Sequence, residues 1–297
     1  MVAVVGRTNA GKSTLVNRLV GEKVSIVSGM EQTTRNRIRA ILTEPRGQLV
    51  FLDTPGAHKA ENELGTLMNR MARGAGRDAD VLLVVFDGAA PVRMEDEGWM
   101  ARAAFSDIPV LFALNKADAP RFDPARFREA WAKIRAEKRP DAPEPAWHAL
   151  SAETGQGCDA LLGALFALAN PCEALPFPED IVSDFPRKLA IADIIREKLI
   201  ARLFQEVPHQ LGVRVERIDE TPDGAWEIQA TILVNRASQK GMVIGTKGRT
   251  LRAMRRAAEP EIAEAYGLSA CKILPFVRVE PKWFRNHFIL RELGYKE

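Results

Sequence analysis

Gly6 to Ser13 read Gly-Arg-Thr-Asn-Ala-Gly-Lys-Ser, and residues of these types at this spacing can hold a polyphosphate. Gly6 and Gly11 let the backbone curl until successive N–H groups converge, and a helix starting directly afterwards adds its partial positive charge. Lys12 can reach the β- and γ-phosphates, and the Ser13 hydroxyl can sit on Mg²⁺. Arg7, Thr8, Asn9 and Ala10 complete the loop, and Thr14 follows it. A second set, Asp53-Thr54-Pro55-Gly56, ends an apolar run, Leu49–Leu52. Asp53 there is placed to hold the same cation through water, and the Gly56 N–H can approach a terminal phosphate, with Ala57 next. Between the two sets lies a polar stretch, Ser28–Arg35, whose Thr33 or Thr34 can add a hydroxyl to the metal; Thr34 is the preferred candidate.

A third set follows the apolar run Val110–Leu114: Asn115-Lys116-Ala117-Asp118. The Asp118 carboxylate can accept from guanine N1–H and from the 2-amino group. Adenine offers neither donor, and the unpaired carboxylate would cost about 1–3 kcal/mol or more. Asn115 can tie this loop to the phosphate loop, and the Lys116 stem can cover the base. Ser151-Ala152-Glu153-Thr154-Gly155 supplies an N–H, that of Ala152, for guanine O6. The tetrad Asn115–Asp118 resembles the guanine-reading motif of GTPases, and the ordered sets read as a GTPase domain. In that reading Lys12, Asn9 and Gly56 carry the catalytic work.

These side chains need a scaffold of buried strands ending at one edge. Val2–Val5, Leu49–Leu52, Val81–Phe86 and Val110–Leu114 are continuous apolar runs, as expected for strands of a mostly parallel sheet covered on both faces. Ile38–Leu42 and Trp147–Leu150 read as further strands, and helical patterns lie between. The chain begins almost on its first strand, which suggests that a few natural residues precede it.

The 297 residues suffice for two domains, and 46% hydrophobic with 27% charged residues is the balance of an ordinary globular protein. No apolar run approaches the roughly 20 residues of a membrane span, and no secretory leader is expected. Cys158, Cys172 and Cys271 are widely spaced and His58, His148, His209 and His287 form no ligand pattern, so thiols idle in a reducing cytoplasm fit better than a metal or disulfide framework. Net charge is +3, but residues 240–297 hold 12 Lys and Arg against 6 Asp and Glu, so the basic surplus is C-terminal.

Prolines 171, 176, 178 and 186 punctuate a stretch without periodicity. The domains expected are therefore 1–170, a linker 171–187, and 188–297. In the last, a helix from Leu189 buries Ile191, Ile194, Ile195, Leu199 and Leu203, strands follow at Val213–Ile218 and Trp226–Val234, and another at Lys272–Val279. Between them Gly245-Thr246-Lys247-Gly248 precedes a helix with Arg249, Arg252 and Arg256 largely on one face. A GxxG loop between two helices in this order resembles a KH domain of the bacterial type (type II, α+β), in which the loop meets the backbone of unpaired RNA.

With QTTR, DTPG, NKxD, SAETG, FPED, IIREKL, VIGTKG and LGY in order, the whole chain resembles the Era family of bacterial ribosome-assembly GTPases. The resemblance implies GTP and GDP as ligands and slow hydrolysis stimulated by RNA. It implies binding to the 3′ end of small-subunit ribosomal RNA during maturation of the small ribosomal subunit, by a monomeric cytoplasmic protein with peripheral contact to the cell membrane. Three positions depart from the family pattern. Thr8 and Ala10 replace proline and valine, and Ala57 replaces a bulkier apolar residue. Ala57 also stands where many GTPases carry a water-orienting glutamine, with His58 as a substitute to weigh. Asn9 suggests a monovalent cation, commonly K⁺, at the transition state. The rival reading is a membrane-associated signalling GTPase whose basic C-terminal domain binds lipid or protein.

Overall fold

In a computed structural model of the chain, the described residues are 1–26, 36, 38–56, 68, 74, 79–203 and 207–295. Thr33, Thr34, Ala57 and His58 lie outside them.

The N-terminal unit is built on a six-stranded sheet, ordered β2-β3-β1-β4-β5-β6. Its strands are β1 (Val2–Val5), β2 (Ile38–Glu44), β3 (Gly47–Asp53), β4 (Val81–Asp87), β5 (Val110–Asn115) and β6 (Ala146–Ala149). Every pairing is parallel except β2 with β3, which form an antiparallel hairpin. Alternate residues of the apolar strands serve opposite faces. Val2, Val4, Leu83 and Val85 pack under α1 (Lys12–Val20), while Ala3, Val5, Val84 and Phe86 meet Trp99, Met100, Phe127 and Trp131 on α2 (Met94–Ala104) and α3 (Ala125–Lys138). A fourth helix, α4 (Cys158–Ala167), joins the α1 face through Leu161 and Leu165. Burial on both faces is why these strands are apolar without alternation.

The C-terminal unit runs α5 (Arg187–Ile200), β7 (Gly212–Glu220), β8 (Trp226–Val234), α6 (Ala237–Ile244), α7 (Arg249–Ala265), β9 (Cys271–Val279) and a short α8 (His287–Glu292). β7 and β8 are antiparallel, β8 and β9 parallel. One core joins Ile191, Ile195 and Leu199 of α5 to Ile228 and Ile232 of β8 and to Met254, Ala258 and Ile262 of α7.

The stretch after α4 is tied to the sheet by backbone and side-chain bonds. Ile41 N–H donates to Val182 O at 2.9 Å, Gln48 exchanges two bonds with the Phe177 backbone at 3.0 Å, and Ser183 Oγ donates to Arg39 O at 2.7 Å. It thereby covers β2, the edge strand of the first sheet.

Among the described residues the units meet at Lys23, Met68 and Asn36. Lys23, just past α1, pairs with Glu197 of α5 at 3.0 Å and Glu261 of α7 at 2.8 Å. Met68 is wholly buried among Leu233, Trp283, Ile289, Leu290, Leu293 and Tyr295 of the C-terminal unit, and Asn36 Nδ2 donates to Leu293 O at 3.5 Å.

Candidate functional site

The loop between β1 and α1 curls because Gly11 sits at φ 90° and Asn9 at φ 61°. A Cβ on Gly11 would collide with the Asn115 amide, so the loop and the base-reading segment touch only because this residue is glycine. Lys12 is buried and its Nζ donates to Arg7 O at 2.9 Å. Burial pulls its pKa down from 10.5 to about 8, against the raising influence of Asp53. Thr8 and Thr14 are half-buried on the loop and helix, Gly6 and Ala10 buried.

Asp53 ends β3 at full burial and accepts from Ser13 Oγ at 2.7 Å. Burial raises its pKa; the Ser13 hydrogen bond, then Lys12 and nearby Ser25, oppose the rise. Its second oxygen, Oδ1, makes no hydrogen bond of normal geometry among the described residues. A buried carboxylate with one oxygen to spare beside a serine hydroxyl and a lysine fits a hard divalent cation and a phosphate together. No group of three or more His, Cys, Asp or Glu gathers as a metal cage among the described residues. Thr54 is fixed by its Oγ1 donating to Val4 O at 2.8 Å, Pro55 is buried beside it, and Gly56 lies so close to the phosphate loop that a Cβ would come 2.6 Å from Thr8 Cα.

Asn115 joins the three loops. Its Nδ2 donates to Ala10 O at 2.9 Å, and its Oδ1 accepts from the Ala152 N–H at 2.9 Å. Ser151, buried, accepts from the Thr154 N–H at 3.1 Å and shapes that last loop. Arg18 of α1 clamps it from outside, donating to Ala152 O at 3.1 Å. Asp118 is exposed on the loop after β5, and Lys116 is half-exposed beside it.

Sequence reasoning missed two carboxylates. Asp87 ends β4 directly opposite Asn115 on β5, and it accepts from Lys116 Nζ at 2.7 Å. Arg7 turns its guanidinium to Asp87, 3.5 Å away, and to Asp96 at 3.2 Å. Asp96, wholly buried, also accepts from the Arg93 N–H at 3.0 Å at the start of α2, and burial raises its pKa to about 6 against the pull of Arg7. A charged residue closing an apolar strand, as Asp53 does, was the signal available for Asp87.

On the C-terminal unit Gly245 lies at φ 73°, Lys247 at φ 50° and Gly248 at φ 75°, a turn that leads straight into α7. Thr246, Lys247, Arg249, Arg252 and Arg256 are all exposed. Arg255 is not part of this set; it pairs with Glu259 at 2.7 Å, which also accepts from the Ile273 N–H at 2.8 Å.

A loop of phosphate-loop sequence, a buried carboxylate bonded to its serine and an NKxD loop beside them, followed by a KH fold, are the features of a GTPase with an appended KH domain. Residues 1–116 match the family described as 50S ribosome-binding GTPase, and residues 206–270 match the KH domain family. GTPase Era of Mesorhizobium japonicum is 40% identical over 99% of this chain and 92% of its own length, and that of Geobacter metallireducens 38% over 99% and 96%. The chain belongs to the Era family of GTPases. Two crystal structures align over 100% of this chain and 98% of theirs with a TM-score of 0.89. One is Era in complex with MgGDPNP and nucleotides 1506–1542 of 16S ribosomal RNA, at 32% identity. The other is a variant of Aquifex aeolicus Era bound to GDP·AlF4⁻, at 31% identity.

Proposed function

We propose that this GTPase is a switch that binds the 3′ end of small-subunit ribosomal RNA through residues 188–297 and assists maturation of the small ribosomal subunit. The carrying observation is the left-handed turn of Gly245–Gly248 with Lys247, Arg249, Arg252 and Arg256 exposed around it. Likeness to Era bound to 16S ribosomal RNA supports the choice of ligand.

In residues 1–170, Gly6–Thr14 cradle the phosphates, Asp53–Ala57 form the second nucleotide-binding segment with the Gly56 N–H for the γ-phosphate, and Asn115, Lys116, Asp118, Ser151 and Ala152 hold the guanine. Ser13 and Asp53, with Thr34 or Thr33, hold Mg²⁺, whose chemistry is to offset charge on the phosphoryl group. Lys12 leaves the Arg7 carbonyl for the phosphates, whose negative charge raises its pKa again. Asn9 recruits a monovalent cation, K⁺, to the same charge. Ala57 offers no group to orient water, so unaided hydrolysis is slow and RNA accelerates it. Met68 and Asn36 flank the segments that follow Gly56 and precede β2, and both touch the C-terminal unit; this supports nucleotide control of RNA affinity. The protein acts as a cytoplasmic monomer. Among the described residues no helix is long and apolar enough to cross a membrane, so membrane contact in this scheme is peripheral.

The test is binding of a 16S 3′-end oligonucleotide to GTP-analogue and GDP forms, with Gly248→Asp as control. Asp tolerates a left-handed backbone, and a Cβ at Gly248 meets nothing nearer than Arg252 Nη1 at 3.4 Å. The variant therefore folds, keeps its GTPase activity and loses RNA through charge repulsion. Equal RNA affinity in all nucleotide states, or in Gly248→Asp, sinks the proposal; lipid binding that survives Gly248→Asp would favour the membrane reading.

A further inference from the structure

We propose that Asp87 is a positioning residue for GTP recognition, one buried carboxylate that holds the base loop and the phosphate loop in register by gripping a cation from each. Its Oδ2 lies 2.7 Å from Lys116 Nζ and 3.5 Å from Arg7 Nη2. Its Oδ1 accepts from the Ala89 N–H at 3.1 Å, which fixes the carboxylate plane. Arg7 is anchored on its other side by Asp96, so the four charges form a chain, Lys116–Asp87–Arg7–Asp96, in which Asp87 is the link between the base loop and the phosphate loop. The exposures decide the direction of the effect. The Asp87 side chain is 10% exposed, that of Lys116 39%. Only the ammonium is committed, and the aliphatic stem stays open for a planar base. Lys116 also sits at φ 68°, a backbone setting an L-residue keeps only when held. The ion pair and the Ala117 N–H bond to Leu150 O at 3.0 Å hold it there. Arg7, for its part, presents to Lys12 the carbonyl that Nζ occupies. Loss of Asp87 thus frees the Lys116 side chain and the start of the phosphate loop together, and binding suffers before chemistry does.

The inference rests on the assignment of Lys116 to the base face. The experiment is a double-mutant cycle on the full chain: Asp87→Asn, Lys116→Met and the pair, read by GDP dissociation constant and by steady-state GTP hydrolysis. Asparagine keeps the shape and can still accept from Ala89, but carries no charge. Asp87→Asn is expected to raise the GDP dissociation constant and KM about tenfold with kcat nearly unchanged. The pair should be no weaker than the worse single variant, and Asp87→Glu, which keeps the charge, should recover most of the affinity. Unchanged GDP binding in Asp87→Asn, losses that multiply in the pair, or equal losses for Asn and Glu would overturn the proposal. Lys116→Met binding GDP normally would overturn the ammonium grip and the proposal with it, and Lys116→Ala binding GDP normally would also remove the assignment of the Lys116 stem to the base. Should Asp87→Asn not fold, Asp87→Ser, which removes the charge in a smaller side chain, runs the same cycle with and without Lys116→Met.

Discussion

Asn115→Ala separates the scaffold from the recognition chemistry. Asn115 is 3% exposed, and its two partners, the Ala10 carbonyl and the Ala152 N–H, belong to residues 0% and 2% exposed. Alanine leaves both groups buried and unpaired. At about 1–3 kcal/mol for each, the loss is about 2–6 kcal/mol of stability with no nucleotide present. In urea, at a slope of about 2 kcal/mol per molar, the midpoint of the N-terminal unit falls by about 1–3 M. Trp99, Trp131 and Trp147 report that transition by fluorescence. Asp118→Ala is the contrast: Asp118 is exposed, so the nucleotide-free midpoint stays within about 0.5 kcal/mol while GDP affinity collapses. An Asn115→Ala protein with an unaltered midpoint but weak GDP binding would refute the reasoning, because the two bonds would then form only around the nucleotide.

Lys12 is held near pKa 8 by burial, below its ordinary 10.5, so the nucleotide-free fold gains stability as pH rises from about 8 toward 10.5. Bound phosphate raises that pKa, so calorimetry near pH 9 in two buffers of different ionisation enthalpy should show proton uptake; none would refute the phosphate contact. Hydrolysis should run several-fold faster in K⁺ than in Na⁺, and equal rates dismiss the role given to Asn9. With Lys247, Arg249, Arg252 and Arg256 each on one phosphate, log RNA affinity should fall with log salt at a slope of about −2.8, and Arg252→Ala should make it shallower by about 0.7. A slope unchanged by Arg252→Ala places that side chain off the RNA. Met68→Ala should erase the difference in RNA affinity between the GTP-analogue and GDP forms; a difference kept in full rules Met68 out as the link.

The phosphate loop, Asp53, Asn115 and GxxG were legible because each is a local string whose chemistry depends on types and spacing. The strands were legible for a related reason: burial on both faces leaves unbroken apolar runs. Asp87 carried one signal, a charge closing an apolar strand, but its role and that of Asp96 were not legible, since their meaning is the company they keep. Asp96 lies nine residues past Asp87 on another element, and only the fold brings both to Arg7. Helix α5 shows a second limit. Ile191, Ile195 and Leu199 mark one buried face, as expected, yet Asp193, Arg196 and Glu197 are buried too. Arg196 pairs with Asp193 at 2.7 Å, and Glu197 meets Lys23 from the other unit. A charged face reads as solvated when the neighbouring unit is unknown. The stretch before α5 hid its attachment to β2 for another reason: backbone pairing through residues such as Val182 leaves no side-chain pattern.

The Lys23 and Met68 contacts between the units differ in what they can transmit. The Lys23 side chain is 41% exposed, and such pairs contribute about 0–1 kcal/mol in water. Met68 is fully buried among apolar residues of the C-terminal unit, where truncation of such a side chain costs about 2–5 kcal/mol. A tenfold change in RNA affinity needs about 1.4 kcal/mol of differential contact. The ion pairs at the end of α1 fall short of that and the Met68 contact exceeds it. The expected route for any coupling of that size between nucleotide and RNA is therefore Met68 rather than Lys23, which is what Met68→Ala tests.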